Sequence, residues 1–212
     1  MLFKDRSEAA LKLASKLMHY KGRADVIVLA LPRGGVVTGY EISKALNCQL
    51  DIIIIRKIGF PGQPELAVGA VSETGSVVLN EDIVSSYRIP QDYIDSEIKK
   101  QEEEIARRRV LYREGKGIPA LNGKIIILVD DGIATGATMK AAIAALKKEK
   151  IKQLVVAVPV AAPDSAEDIK AMVDKWICLD TPHYFSSVGS FYQDFLQVGD
   201  DEVVKLLKDR SK

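Results

Sequence analysis

A formal net charge of +1 over 212 residues leaves no overall basic field for nucleic acid, and the length suits one domain spanning 1–212, with a core over about 24–175 and a cap from 1–20 and 176–200. Cys48 and Cys178 lie far apart, with neither metal-ligand nor disulfide spacing, and are expected as buried, reduced thiols in a cytoplasmic protein. Lys4, Asp5, Arg6 and Glu8 argue against a secretory leader, and the longest uncharged apolar stretch, Leu154 to Pro163, is too short to cross a bilayer.

Residues 5–20 are predicted as an amphipathic helix, with Ala10, Leu13, Ala14, Leu17 and Met18 on one side. Val26 to Leu31 reads as a strand, followed by a Pro32-Arg33-Gly34-Gly35 turn and a helix to about Leu46. Ile52 to Ile55 reads as a second buried strand. Residues 57–80 read as irregular, with a hairpin over Val71–Leu79 around Thr74-Gly75. A long charged helix is expected over 91–114, where acids precede bases by about four residues and support a solvated surface. Strands at Ile125–Val129, Leu154–Val160 and Trp176–Leu179 alternate with helices after Thr138 and over 164–173. The alternation predicts an α/β fold, a parallel twisted sheet flanked by helices, with a small cap from the N-terminal helix and the C-terminal aromatic region.

The most informative segment is IIILVDDGIATGAT, residues 125–138. A buried strand ends in two adjacent carboxylates, Asp130 and Asp131, at the edge where open α/β sheets bind ligands. Ala134, Thr135, Gly136, Ala137 and Thr138 then open a helix whose first amides lack internal partners and favour an anion. A ligand carrying both a diol and a phosphate would satisfy both halves. Pro32-Arg33-Gly34-Gly35 repeats the same strand-to-helix logic, and Arg33 adds a fork suited to phosphate oxygens or else a solvent-facing charge.

The segment DDGIATGAT closely resembles the phosphoribosyl pyrophosphate (PRPP) motif of type I phosphoribosyltransferases, and the likeness extends to Pro32–Gly35 and Arg56-Lys57. The resemblance implies transfer of a 5-phosphoribosyl group from PRPP to a nitrogen nucleophile, a nucleobase above all, with release of pyrophosphate and with Mg²⁺ as cofactor. It implies that Asp130 and Asp131 hold the ribose hydroxyls, that residues 134–138 wrap the 5-phosphate, and that Arg33, Gly34, Gly35, Arg56 and Lys57 handle pyrophosphate. No direct protein ligand to the metal is assigned, although Asp130 and Asp131 lie nearby. It further implies a cis Arg33–Gly34 peptide, a homodimer, a place in nucleotide salvage, and an aromatic ring stacked on the acceptor. Phe185 is the first choice for that ring and Tyr184 the second.

Several of these residues have an ordinary alternative. Arg56 and Lys57 would equally cap a buried strand in solvent. Glu65, on the glycine- and proline-containing segment suited to a lid, reads as a solvated loop acid. The aromatics from Trp176 to Phe195 would equally pack a cap. The chain also departs from 6-oxopurine enzymes: it has Ala134 where they carry an acid, and Val160-Ala161-Ala162-Pro163 where they supply a lysine. A PRPP- or nucleotide-sensing regulator without turnover is the main alternative, and a metal-dependent phosphohydrolase or kinase-like protein a further one.

Overall fold

A computed structural model of the chain describes residues 1–210, apart from the side chains of Pro64 and Glu65. Asp5 caps the first helix by accepting a hydrogen bond from the Glu8 amide, and α1 (Arg6–Ser15) buries Ala9, Ala10, Leu13 and Ala14. The β-branched and leucine run Val26–Ala30 forms β1, and α2 (Gly34–Leu46) joins it to β2 (Gln49–Ile52). The chain next forms β3 (Ile55–Phe60), β4 (Gln63–Ser72) and β5 (Val77–Leu79), followed by α3 (Glu81–Ser86) and α4 (Gln91–Arg113). The second half alternates β6 (Ile125–Val129), α5 (Ala137–Leu146), β7 (Gln153–Val160), α6 (Pro163–Lys170) and β8 (Lys175–Asp180), and closes with α7 (Asp200–Arg210).

Five strands form a parallel sheet in the order β2-β1-β6-β7-β8. The two-residue period of a strand sends neighbours to opposite faces. Val28, Ala30, Ile127 and Val129 pack in one core with Leu13 of α1, Ile42 of α2 and Leu207 of α7. Ile27, Leu29, Ile126 and Leu128 pack in the other with Met139 and Ile143 of α5 and Ile169 of α6. Both faces are covered, as the continuous apolar runs require. The chain leaves β1 for β2 on one side and later returns to place β6 on the other. The strand order therefore reverses between β1 and β6, and a crevice opens beyond their carboxyl ends.

Three expectations are corrected here. The isoleucine run expected as one strand is divided: Ile52 ends β2 in the parallel sheet, while Ile55 pairs with Ser72 in a separate sheet, β3-β4-β5. Arg113 of α4 explains the break. It donates to the Ile52 carbonyl (3.0 Å) and the Glu73 carboxylate (2.6 Å), and lies 3.0 Å from Asp51, while Glu73 also accepts from the Ile54 amide at 2.8 Å. The region expected to be irregular is instead mostly this antiparallel sheet. Its first hairpin turns at Pro61-Gly62 and its second at Thr74-Gly75, as expected for Val71–Leu79. Finally, α3 and α7 extend beyond the predicted elements.

The expected cap is only partly formed: α1 packs Leu13 in the main core, and residues at the start of the chain meet the aromatic segment. Phe3 donates its amide to Phe191 and accepts from the amide of Gln193, both at 2.8 Å, so the first residues run beside the aromatic segment. Phe3 and Tyr192 are buried with Val160, and Phe185, Val188, Phe191 and Phe195 pack around them.

Candidate active site

Both glycine turns meet at the crevice. At the end of β6 the Asp131 amide donates to the Asp130 carboxylate (2.8 Å). Asp130 then lines a cavity of about 210 Å³ with residues 132–139 and Val188. The cavity thus unites one acid with all five residues expected at the 5-phosphate, from Ala134 to Thr138. Gly136 takes a left-handed conformation (φ 72°) as the cap of α5, and the first-turn amides of that helix have no i−4 partners within it. The loop is pinned from behind. Ser165 donates to the Ala134 carbonyl at 2.6 Å, and Ile133 exchanges backbone bonds with Val160 and Ala162.

The other turn enters from β1. The missing side chains of Gly34 and Gly35 allow α2 to start directly against the acids. A Cβ at Gly34 would lie 1.9 Å from Asp131 Oδ2, and one at Gly35 2.8 Å from Asp130 Oδ1 and 2.9 Å from its Cα. The cis peptide of this turn is Pro32–Arg33, not Arg33–Gly34 as expected. The Arg33–Gly34 bond, which leads from the cap residue into α2, is trans.

The electrostatics are uneven across the pair. Burial, followed by the neighbouring Asp131 carboxylate, pushes the Asp130 carboxyl well above the ordinary range. Asp131 instead meets a cation: Arg6 Nε donates to its Oδ2 at 2.7 Å. The same guanidinium donates through Nη1 to the Leu196 carbonyl (2.8 Å) and lies 3.8 Å from the centre of the Phe195 ring. Tyr192 donates its hydroxyl to the Asp131 carbonyl, and burial pushes that phenol strongly upward.

The remaining predicted residues fall in different places. The Arg33 guanidinium is drawn toward α7, 3.8 Å from Asp200, whose same oxygen accepts from Tyr112 at 2.5 Å. Arg56 donates to Gln101 (3.1 Å), and with Lys57 it lines a separate cavity of about 360 Å³ between the hairpin and α4. Phe185 stacks on Phe191 with ring centres 5.3 Å apart, whereas Tyr184 is 95% exposed. The Glu65 side chain lies outside the described residues. Arg6, Ser165 and Val188 join the site without having been singled out from the sequence.

Among the described residues no group of three or more acids, histidines or cysteines could hold a metal. Of the two acids at the site, Asp131 is paired with Arg6.

Comparisons with known proteins bear on the family and the fold. Residues 4–192 match the phosphoribosyl transferase domain family, and the chain belongs to it. A curated Mycobacterium tuberculosis protein named "putative phosphoribosyl transferase" is 43% identical over 206 residues, 97% of this chain. The chain spans only 46% of that relative's length. The crystal structure of TT1426 from Thermus thermophilus is 39% identical, with a TM-score of 0.86 over 99% of both chains. A hypoxanthine phosphoribosyltransferase from Staphylococcus aureus shares the fold alone, at 14% identity and a TM-score of 0.50 over 85% of this chain and 75% of its own. Among the described residues, no helix is long and apolar enough to cross a membrane.

Proposed function

We infer that the protein is a phosphoribosyltransferase that moves the 5-phosphoribosyl group of PRPP to a nitrogen nucleophile and releases pyrophosphate. The observation that carries this reading is the meeting of Asp130 and the start of α5 in one cavity, with a glycine turn from β1 packed against Asp130 and the adjoining Asp131. In this reading the first amides of α5 and the hydroxyls of Thr135 and Thr138 anchor the 5-phosphate, and that remote contact positions the ribose. Asp130 and Asp131 orient the ribose hydroxyls and favour positive charge as the anomeric C–O bond breaks. The bonding electrons leave with pyrophosphate, near the turn that carries Gly34 and Gly35. A nitrogen lone pair then forms the new bond to the anomeric carbon, and its proton passes to solvent or a base. Mg²⁺, carried on the pyrophosphate, would neutralise the leaving group.

A role for Arg33 at the pyrophosphate requires it to turn from Asp200. Lys57 would act from the hairpin, and Phe185 would supply the stacking ring in preference to the exposed Tyr184. The acceptor is proposed to be a nitrogen base other than a 6-oxopurine. In support, the segment after β7 carries no lysine, and Val160 and Ala162 are engaged in pinning the motif loop. Nucleotide salvage, a cytoplasmic location and a homodimer belong to the same proposal.

The test incubates the protein with PRPP and Mg²⁺, offers a panel of bases and amines, and measures pyrophosphate release. Release with at least one acceptor is expected. Saturable PRPP binding with no release from any acceptor would instead favour a PRPP-sensing regulator.

A further inference from the structure

Arg6 stands at the contact between the cap, the acids and the turn after β1. Its side chain is 11% exposed, and that of Asp131 14%. Three groups hold its guanidinium: the Asp131 carboxylate, the Leu196 carbonyl and the Phe195 ring. The same Nε lies only 3.2 Å from where a Gly34 side chain would begin. A cation is therefore fixed beside the amino end of α2, where the helix start favours an anion. The Arg33 guanidinium, chosen from sequence for that task, instead lies 3.8 Å from Asp200 on α7.

We propose that Arg6 is a binding residue for the pyrophosphate group of the donor, set beside Gly34 by its bond to Asp131. The proposal rests on the phosphoribosyltransferase reading and adds a residue to it. A planar guanidinium already ordered by a carboxylate and a ring loses little freedom on meeting phosphate oxygens, and it forms charge-assisted bonds to them. Pyrophosphate at Gly34 compensates the charge of Arg6, so the Asp131 carboxylate is released toward the ribose hydroxyls. Donor binding at one end of the site then readies the acid at the other. Because Arg6 also bonds Leu196 and covers Phe195, the same event bears on the cap.

The test uses the full chain and two probes titrated separately by calorimetry in Mg²⁺ buffer, inorganic pyrophosphate and ribose 5-phosphate. Arg6→Gln is expected to weaken pyrophosphate about tenfold or more, the loss of one charge-assisted contact, and to leave ribose 5-phosphate within about threefold. Arg6→Lys should recover part of the pyrophosphate affinity, because it restores the charge but not the fork. Unchanged pyrophosphate affinity in Arg6→Gln would overturn the proposal. Equal losses for both probes would also overturn it, since Arg6 would then act only through the packing of the cap. A wild-type protein that binds neither probe would sink the phosphoribosyltransferase reading itself, and that failure is visible before any variant is made.

Discussion

Asp130 and Asp131 are neighbours in sequence with opposite surroundings, and that difference can be measured. Asp130 has its carboxyl pushed up by burial and by the adjacent carboxylate, so the folded state binds its proton more tightly than the unfolded chain does. Stability from that proton is fully present in acid and is lost as pH rises through the raised value. Asp130→Asn should accordingly raise the melting temperature by a few degrees near neutral pH, with the gain vanishing in acid, while it abolishes turnover. Thermal melts across pH check this, and an unchanged or lower melting temperature at neutral pH would contradict it. The two glycines against the acids should also separate. A methyl at Gly34 meets the movable end of the Asp131 side chain, and one at Gly35 meets the Asp130 backbone. Gly34→Ala is expected to cost mainly PRPP affinity, about tenfold or more, whereas Gly35→Ala should cost mainly stability, roughly 1–3 kcal/mol. Binding titrations paired with urea melts would distinguish them. That the acids, the glycine turn and the loop before α5 adjoin was legible because each lies in a short segment whose chemistry is local. Arg6 was not, because its partner is 125 positions away and a lone arginine in a first turn looks like any solvated charge.

Among the elements, hydrophobic period located most of the strands and helices to within a few residues, and charge pattern located α4. Its arginine run is balanced as expected: Arg107 and Arg108 both bond Glu104 and hold that carboxyl down to about 2. The failure at Ile52–Ile55 has a clear cause. Four isoleucines in succession carry no periodic mark of where one sheet ends, and the groups that end it, Arg113 and Glu73, come from later in the chain. The α7 helix did leave a signal, an acidic first turn before Val203 and Leu207, yet its packing on α2 and α4 could not be read locally. The Asp51–Arg113–Glu73 cluster should be costly to break. The Glu73 side chain is 1% exposed and that of Arg113 is 7% exposed, so Arg113→Met leaves two acids without their cation. A loss of about 3–5 kcal/mol is expected in denaturant melts, with the antiparallel sheet becoming the fastest-exchanging strands in hydrogen exchange. A loss under about 1 kcal/mol would show that the cluster does not join the two sheets.

At the scale of the whole molecule, topology makes the site. Because strand order reverses between β1 and β6, two turns roughly a hundred residues apart in the chain face one another across a single crevice. The fold class and the cap could be inferred from alternation and from the aromatic cluster. The seam between cap and acids could not, since it depends on Phe3, Tyr192 and Arg6 meeting in three dimensions. That seam ties the family membership of the chain to a specific claim about what the crevice holds. Calorimetric titration of PRPP in Mg²⁺ buffer, into the wild-type protein and into Asp131→Asn, tests the claim with one instrument. Saturable one-site binding by the wild type, displaced by ribose 5-phosphate and by pyrophosphate and weakened about a hundredfold in the variant, is the expected result. No saturable heat from the wild type, or equal affinity in the variant, would show that the aspartates and the start of α5 do not form a donor site.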